Sequence, residues 1–132
     1  MRVLAFDTCF GACSAAIADN GVIVAHRLAA IDRGHAERLL PMIAECLAEV
    51  GIGMGSIDLI AVTYGPGTFV GTRVGVAAAR GLALATGLPV TGASSLAVMA
   101  AAMATDGPAE EASIRAVAVD AGRDMLYVAH FG

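Results

Sequence analysis

Residues 59–75 read LIAVTYGPGTFVGTRVG, which predicts a strand, a turn and a helix in direct succession. The apolar run Leu59–Tyr64 has the length and composition of a buried strand. A Gly-Pro-Gly turn follows it, and a helix rich in small residues begins near Phe69. This order is typical of α/β proteins. The helix N-terminus also presents backbone N–H groups to which an anion can bind.

The first of two uses that remain open for this segment is a phosphate-binding turn built on Gly65 and Gly67. The segment lacks the lysine and the spacing of a Walker A loop, and no acid ends the next strand as in a dinucleotide fingerprint. Asp7 and Thr8 end the first strand, where open α/β sheets bind ligands. Asp7 is equally well explained as the cap of the turn that follows it.

The second use is close packing of the helix against another helix. Gly71, Gly75 and Ala78 recur at helical spacing, with Gly81 one turn further. Each glycine in a helix interior costs about 1 kcal/mol relative to alanine, so several together require a compensating contact. We therefore expect this face to meet a partner, and we expect Gly75→Leu to abolish that contact while leaving the chain folded.

Composition narrows the classes of function. The chain has 132 residues, a formal net charge of −4 and eight basic residues, all arginine and none clustered. Without a basic stripe, direct nucleic-acid binding is not expected. The apolar fraction is 58% with only 15% charged residues, so apolar surface should remain for a partner. Neither a signal peptide nor a membrane span is predicted, and a cytoplasmic location is expected.

The few residues with metal-ligating or redox chemistry do not form motifs. Cys9, Cys13 and Cys46 lack the spacing of a redox or zinc site and are expected to be buried thiols. The three histidines are scattered and no His-x-x-x-His pair occurs, so no metal site is predicted. No Gly-x-Ser-x-Gly elbow points to a serine hydrolase.

Periodicity and turn residues predict seven strands and three helices. Asp19-Asn20-Gly21 predicts a tight turn between the second and third strands, and Gly87 is placed to cap the second helix. The predicted strands are 3–7, 13–18, 22–27, 59–64, 88–91, 114–120 and 125–131, and the predicted helices are 35–50, 69–86 and 96–104. The order β-β-β-α-β-α-β-α, followed by a hairpin, indicates a mixed sheet with helices against it.

The predicted domain boundary lies in the polar stretch 105–112. Residues 1–105 form one α/β lobe, and residues 106–132 form a linker and the first β-hairpin of a second lobe. Two strands are too few for a domain, so we expect the second lobe to be incomplete and the chain to be a shortened form. The last strand, Met125–Phe131, would then present an open edge that can pair with another copy.

Four separated segments carry a family resemblance. They are Leu4–Thr8 with Cys13–Ile17, His35–Pro41, Gly65–Gly75, and Val119–Ala121 with Tyr127. In this order they resemble the bacterial TsaB (YeaZ) family of tRNA threonylcarbamoyladenosine biosynthesis proteins. The third segment is the most specific because it is long and follows a strand.

The resemblance implies a lobe of the actin, Hsp70 and sugar-kinase fold, which is ribonuclease H-like. It also implies a non-catalytic scaffold that pairs with the catalytic subunit TsaD, so that a threonylcarbamoyl group reaches adenosine 37 of certain tRNAs. TsaD carries a metal-binding histidine pair that this sequence lacks. The ATPase TsaE completes the complex, ATP and magnesium belong only to the assembled complex, and tRNA is contacted only indirectly.

In this family the first two helices of each partner form the pairing surface. Carried onto this sequence, the partner interface comprises His35, Arg38, Leu39, Met42, Cys46, Gly71, Arg73, Val74, Gly75 and Ala78, while Asp7, Thr8, Gly65 and Gly67 are a vestigial nucleotide site. Without TsaD, a homodimer through the same helices is expected.

Two alternative functions remain. One is an actin-like-fold ATPase or kinase that uses Asp7 and the Gly65–Gly67 turn. The other, weaker, is a glycoprotease-type peptidase.

Overall fold

The computed structural model describes residues 1–103 and 115–131 of the chain. Within them the predicted order of strands and helices is confirmed. The elements are β1 (Arg2–Asp7), β2 (Ala12–Asp19), β3 (Val22–Ala30), α1 (His35–Val50), a short 3-10 turn (Met54–Ser56), β4 (Leu59–Thr63), α2 (Phe69–Thr86), β5 (Val90–Ala93), α3 (Ser95–Met103), β6 (Arg115–Gly122) and β7 (Met125–Phe131).

Five strands form a mixed sheet in the order β3-β2-β1-β4-β5. β1 is antiparallel to β2, and β2 to β3, whereas β4 is parallel to both β1 and β5. The β2–β3 hairpin turns at Asn20 and Gly21, whose φ angles are 49° and 83°. These positive values match the tight turn predicted from the Asp-Asn-Gly sequence.

Both α1 and α2 pack on one face of this sheet, and the main core lies between the two helices and the sheet. Alternate residues of the strands point into that core because successive side chains of a strand face opposite sides. Leu4, Ile17 and Ile60 are fully buried there, as are Leu39 and Met42 of α1.

The helix ends follow their capping residues. Gly51 and Gly87 adopt the left-handed conformation directly after α1 and α2, as Gly87 was predicted to do. The side chain of Thr68 accepts a hydrogen bond from the N–H of Gly71 at 3.0 Å and begins α2. β5 starts two residues later than predicted. The carbonyl of Pro89 still pairs with Ile60, but proline has no N–H to donate.

The β6–β7 hairpin packs against α3 around a small second cluster formed by Leu96, Ala100 and Val117. The predicted linker at 105–112 and the boundary at 105/106 lie outside the described residues, as do the ends predicted at Ala104 and Ile114. In the described ranges, none of the helices combines the length and the apolar character needed to cross a bilayer.

Candidate functional site

Asp7 at the end of β1 is bound within the chain. One carboxylate oxygen, Oδ1, accepts a hydrogen bond from the N–H of Cys9 at 2.9 Å and another from the hydroxyl of Thr63. The first bond closes the turn that follows β1, as the capping interpretation predicts. The second joins the ends of the parallel strands β1 and β4. This oxygen is therefore already engaged by two donors.

Thr8 and the glycine turn are equally engaged. Thr8 is 1% exposed, and its hydroxyl donates to the carbonyl of Gly71 at 2.6 Å. A Cβ on Gly67 would overlap the carbonyl of Cys9, and the N–H of Thr68 donates to that same carbonyl at 2.7 Å. The turn is thus packed directly on the chain that follows β1. Gly65 is buried and its carbonyl accepts from the N–H of Ser95.

Gly71 and Gly75 face inward, so the expectation that their side of the helix meets a partner is wrong. A Cβ on Gly71 would overlap the carbonyl of Thr8. A Cβ on Gly75 would lie 2.8 Å from the Thr8 hydroxyl and 3.3 Å from a methyl group of Val62. Both glycines let α2 approach the ends of β1 and β4, which is their compensating contact.

The α1 residues predicted for the interface are also mostly internal. Leu39, Met42 and Cys46 are at most 1% exposed and belong to the main core, so the prediction that they contribute to a partner interface is wrong. His35 is 7% exposed, and its Nε2 bonds to the carbonyl of Phe10 at 2.8 Å. These positions point toward the sheet because the helix packs on it along its whole length.

The remaining predicted interface residues lie nearer the surface. Arg38 is half-buried and paired with Glu45 at 2.8 Å. Val74 and Ala78 are half-buried and pack against the core from α2. Arg73 is exposed, and its guanidinium lies 3.4 Å above the ring of Phe69.

Beside its core-facing residues, α2 carries a row of small and apolar residues, most of them exposed, that sequence reasoning largely missed. We call it the α2 seam: Val70, Val74, Ala77, Gly81 and Leu84. Val70 is 66% exposed and Leu84 is 90% exposed, while a Cβ on Gly81 would meet nothing within 4 Å. The spacing alternates four and three residues, which is the pattern of a helix that packs against another helix. That spacing was the signal available in the sequence.

α1 extends the same surface. Leu40 is 52% exposed, Ala44 is exposed and Leu47 is half-buried, again at intervals of four and three residues. The two helices contact each other on the same face of the sheet, so their outer sides lie side by side. Together these α1 residues and the α2 seam form what we call the helix-pair surface.

The three cysteines are free and buried, and none of them makes an activated thiol. Burial raises the pKa of Cys9, although the nearby hydroxyl groups of Ser95 and Thr63 partly oppose that shift. Burial also raises the pKa of Cys13 and Cys46. In residues 1–103 and 115–131, no group of three or more His, Cys, Asp or Glu side chains comes together to hold a metal ion.

Comparison with known proteins gives consistent matches. The family model described as TsaD, tRNA N6-adenosine threonylcarbamoyltransferase, matches residues 23–132. The chain is 42% identical over 100 residues to the tRNA threonylcarbamoyladenosine biosynthesis protein TsaB of Escherichia coli (strain K12), covering 76% of this chain and 43% of that protein. It is 48% identical over 65 residues to the tRNA N6-adenosine threonylcarbamoyltransferase of Ruegeria sp. (strain TM1040), covering 49% of this chain and 18% of that protein.

Among solved structures, YeaZ from Pseudomonas aeruginosa superposes with a TM-score of 0.90 at 37% identity. The match covers 98% of this chain and 59% of that one. The chain therefore spans less than half the length of the TsaB protein that it matches and about three fifths of the YeaZ chain. The predicted actin-like lobe with its following hairpin is confirmed by this superposition.

Proposed function

This chain belongs to the family described as TsaD, tRNA N6-adenosine threonylcarbamoyltransferase, and within it resembles TsaB (YeaZ); from that premise we propose that it is a non-catalytic pairing subunit in tRNA threonylcarbamoyladenosine biosynthesis. Its partner in this proposal is a TsaD-type catalytic subunit. The single observation that carries the proposal is the exposed helix-pair surface.

Leu84 and Val70 leave large apolar side chains exposed along one side of α2. Large apolar side chains exposed together on one helix mark interaction sites more often than free surface. Gly81 and Ala77 between them keep the seam shallow, so that a partner helix can approach closely. Replacing water by such a helix would bury the apolar side chains without any change in this chain's own core.

The size of the surface fits a specific contact. α2 has 18 residues and α1 has 16, so each is about 25 Å long at 1.5 Å per residue. Two adjacent helices present a width of about 20 Å. The patch is therefore about 500 Å² on each partner, or about 1,000 Å² in total, which is near the lower limit for a specific interface.

The hydrogen bonds of Asp7 and Thr8 within the chain support a non-catalytic role. In a nucleotide hydrolase these residues would have to face a phosphate or a metal-bound water. Here Oδ1 of Asp7 is bound by Thr63 and Cys9, and Thr8 is buried against Gly71. This engagement favours the pairing subunit over the ATPase or kinase alternative.

Pairing can be tested with Leu84→Arg on the helix-pair surface. We expect this variant to fold normally, because the side chain is 90% exposed, and to lose co-elution with a TsaD-type partner on gel filtration. Leu28→Arg is the matched control, since Leu28 is 72% exposed on β3 and lies outside the surface. Retained co-elution of Leu84→Arg, or equal loss in both variants, would contradict the proposal.

The finer partners follow from the same premise. We propose that a TsaE-type ATPase joins the assembled pair, that ATP and magnesium act only in that assembly, and that the complex works in the cytoplasm. Complementation of a TsaB-depleted bacterium by this chain and by its Leu84→Arg variant tests whether pairing is required for the modification. Rescue by both variants would contradict the requirement.

A further inference from the structure

A groove of about 620 Å³ runs along the flank of α2 toward the end of β4. Its lining combines rings, guanidinium groups and small side chains, namely Tyr64, Phe69, Thr72, Arg73, Val76, Ala77 and Arg80. Tyr64 is 58% exposed and Phe69 is 73% exposed. Among the residues that the structure describes, no carboxylate lines the groove, although the chain as a whole has a net charge of −4.

The two arginines of the groove differ from those that stabilise the fold. Arg2, Arg27 and Arg38 are each paired with an acid. Arg73 and Arg80 have no ion pair with any acid in the described part of the chain. They are seven residues apart on α2, about 10 Å along its axis, and both are exposed. Their separation suits two phosphates of one strand better than a single phosphate between them.

Phe69 orients Arg73 for such a contact. The guanidinium stacks on the ring at 3.4 Å from its centroid. Stacking occupies the flat face of the guanidinium and leaves the N–H donors at its edge free for a phosphate. The arginine is therefore held in place before any ligand arrives.

The aromatic rings define the ligand further. Exposed rings beside arginines are the arrangement by which proteins hold unpaired bases, because every base can stack on a ring while its phosphates meet the cations. Proteins read RNA mainly through such unstacked nucleotides. We propose that this groove binds an unpaired segment of an RNA strand, with Arg73 and Arg80 on its phosphates and Tyr64 or Phe69 under a base.

The inference rests on the proposed function, in which the RNA is the tRNA to be modified. It changes the expectation from the unclustered arginines that the chain does not bind nucleic acid directly, and the expectation from the family resemblance that tRNA is contacted only indirectly. The groove lies on the side of α2 toward Tyr64, whereas Val70 and Val74 of the α2 seam lie beside the start of α1. Pairing and RNA binding thus use adjoining sides of one helix, and Ala77 lies at their common border.

The test measures fluorescence anisotropy of a labelled, unmodified tRNA transcript with the chain alone. We expect weak binding. The logarithm of the observed association constant should fall with the logarithm of the salt concentration at a slope of about −1.4, the value for two phosphates of a single strand. The double variant Arg73→Gln with Arg80→Gln should weaken binding about tenfold or more at low salt and flatten the slope. Tyr64→Ala with Phe69→Ala should weaken it about tenfold without changing the slope.

A matched control removes the same charge elsewhere. Arg115→Gln with Arg123→Gln, both on the β6–β7 hairpin, should leave binding within about twofold. Equal loss in the two arginine double variants would overturn the proposal, since net charge alone would then explain it. Absence of RNA binding, or complete displacement of the RNA by millimolar ATP with magnesium, would overturn it as well.

Failure here and failure of the pairing proposal are distinguishable. Arg80→Gln, which removes a groove arginine outside the predicted partner interface, should still co-elute with a TsaD-type partner, and Leu84→Arg as an isolated chain should still bind the transcript. Urea denaturation of each variant confirms that it is folded.

Discussion

Gly75 and Gly81 are six residues apart on α2 and meet opposite surroundings. A methyl group on Gly75 would lie 2.8 Å from the hydroxyl of Thr8, which is 1% exposed and cannot readily move. A methyl group on Gly81 would meet nothing within 4 Å. The same substitution should therefore have opposite effects at the two positions.

We predict that Gly75→Ala destabilises the fold by about 1–3 kcal/mol, because overpacking exceeds the gain in helix propensity. Gly81→Ala should stabilise it by about 0.5–1 kcal/mol through that propensity alone. Urea denaturation measures both free energies of unfolding. Equal stabilisation by the two substitutions would contradict the inward placement of Gly75. We therefore predict that Gly75→Leu unfolds the chain, which revises the expectation from the sequence that this variant stays folded.

The buried thiols give stability a dependence on pH. Burial raises the pKa of Cys9, Cys13 and Cys46 above the value near 8.5 of an exposed thiol. The folded chain therefore keeps these protons at a pH where the unfolded chain releases them. The stability that they contribute is fully present below about pH 8.5 and is lost as the pH rises toward the folded-state values.

We predict that the free energy of unfolding declines above about pH 8.5, by up to about 1.4 kcal/mol per pH unit for each thiol that is ionised only when unfolded. Denaturation curves from pH 7 to 10 measure the decline. The double variant Cys13→Ala with Cys46→Ala should show a shallower decline. A free energy that stays level to pH 10 in the unsubstituted chain would contradict the prediction.

At the scale of elements, the ends of helices and turns could be predicted where their signals lie close together in the sequence. The Gly87 cap and the Asp19-Asn20-Gly21 turn each depend on neighbours within a few residues, and the structure confirms both. The comparisons likewise confirm the family resemblance. It could be predicted because its motifs lie in order along the chain. β5 was displaced by two residues because its start is set by pairing with β4, which the sequence does not display.

The sequence did not predict how each helix is rotated about its own axis, and therefore which of its sides faces the sheet. A helix with glycines on one side and leucines on another satisfies several orientations, and only the position of the sheet chooses between them. Gly71 and Gly75 face inward because Thr8 and Val62 lie directly beneath them. The pairing of Asp7 with Thr63 was hidden for the same reason, since it requires the parallel register of β1 and β4.

Over the whole molecule, the net charge conceals an uneven distribution. Arg27 and Arg38 pair with Glu45 and Glu49 beside α1, where such exposed pairs contribute little to stability. Glu45 and Glu49 therefore lie beside cations, whereas Arg73 on α2 makes no ion pair with an acid in the described part of the chain. A count of charges predicted no contact with RNA, but the fold gathers two arginines and two rings into one groove.

We expect copies of this chain to associate through the helix-pair surface when no other partner covers it. Without a TsaD-type partner, two copies can bring this surface together about a two-fold axis, which is the commonest symmetry of homo-oligomers. We predict a dimer by light scattering at concentrations of tens of micromolar or more, a monomer for Leu84→Arg, and a dimer for Leu28→Arg. Val128 lies on β7 and is 53% exposed, and Val128→Lys should also remain dimeric. A monomer at every concentration would contradict the prediction, and a dimer lost only in Val128→Lys would assign the contact to the β7 edge instead.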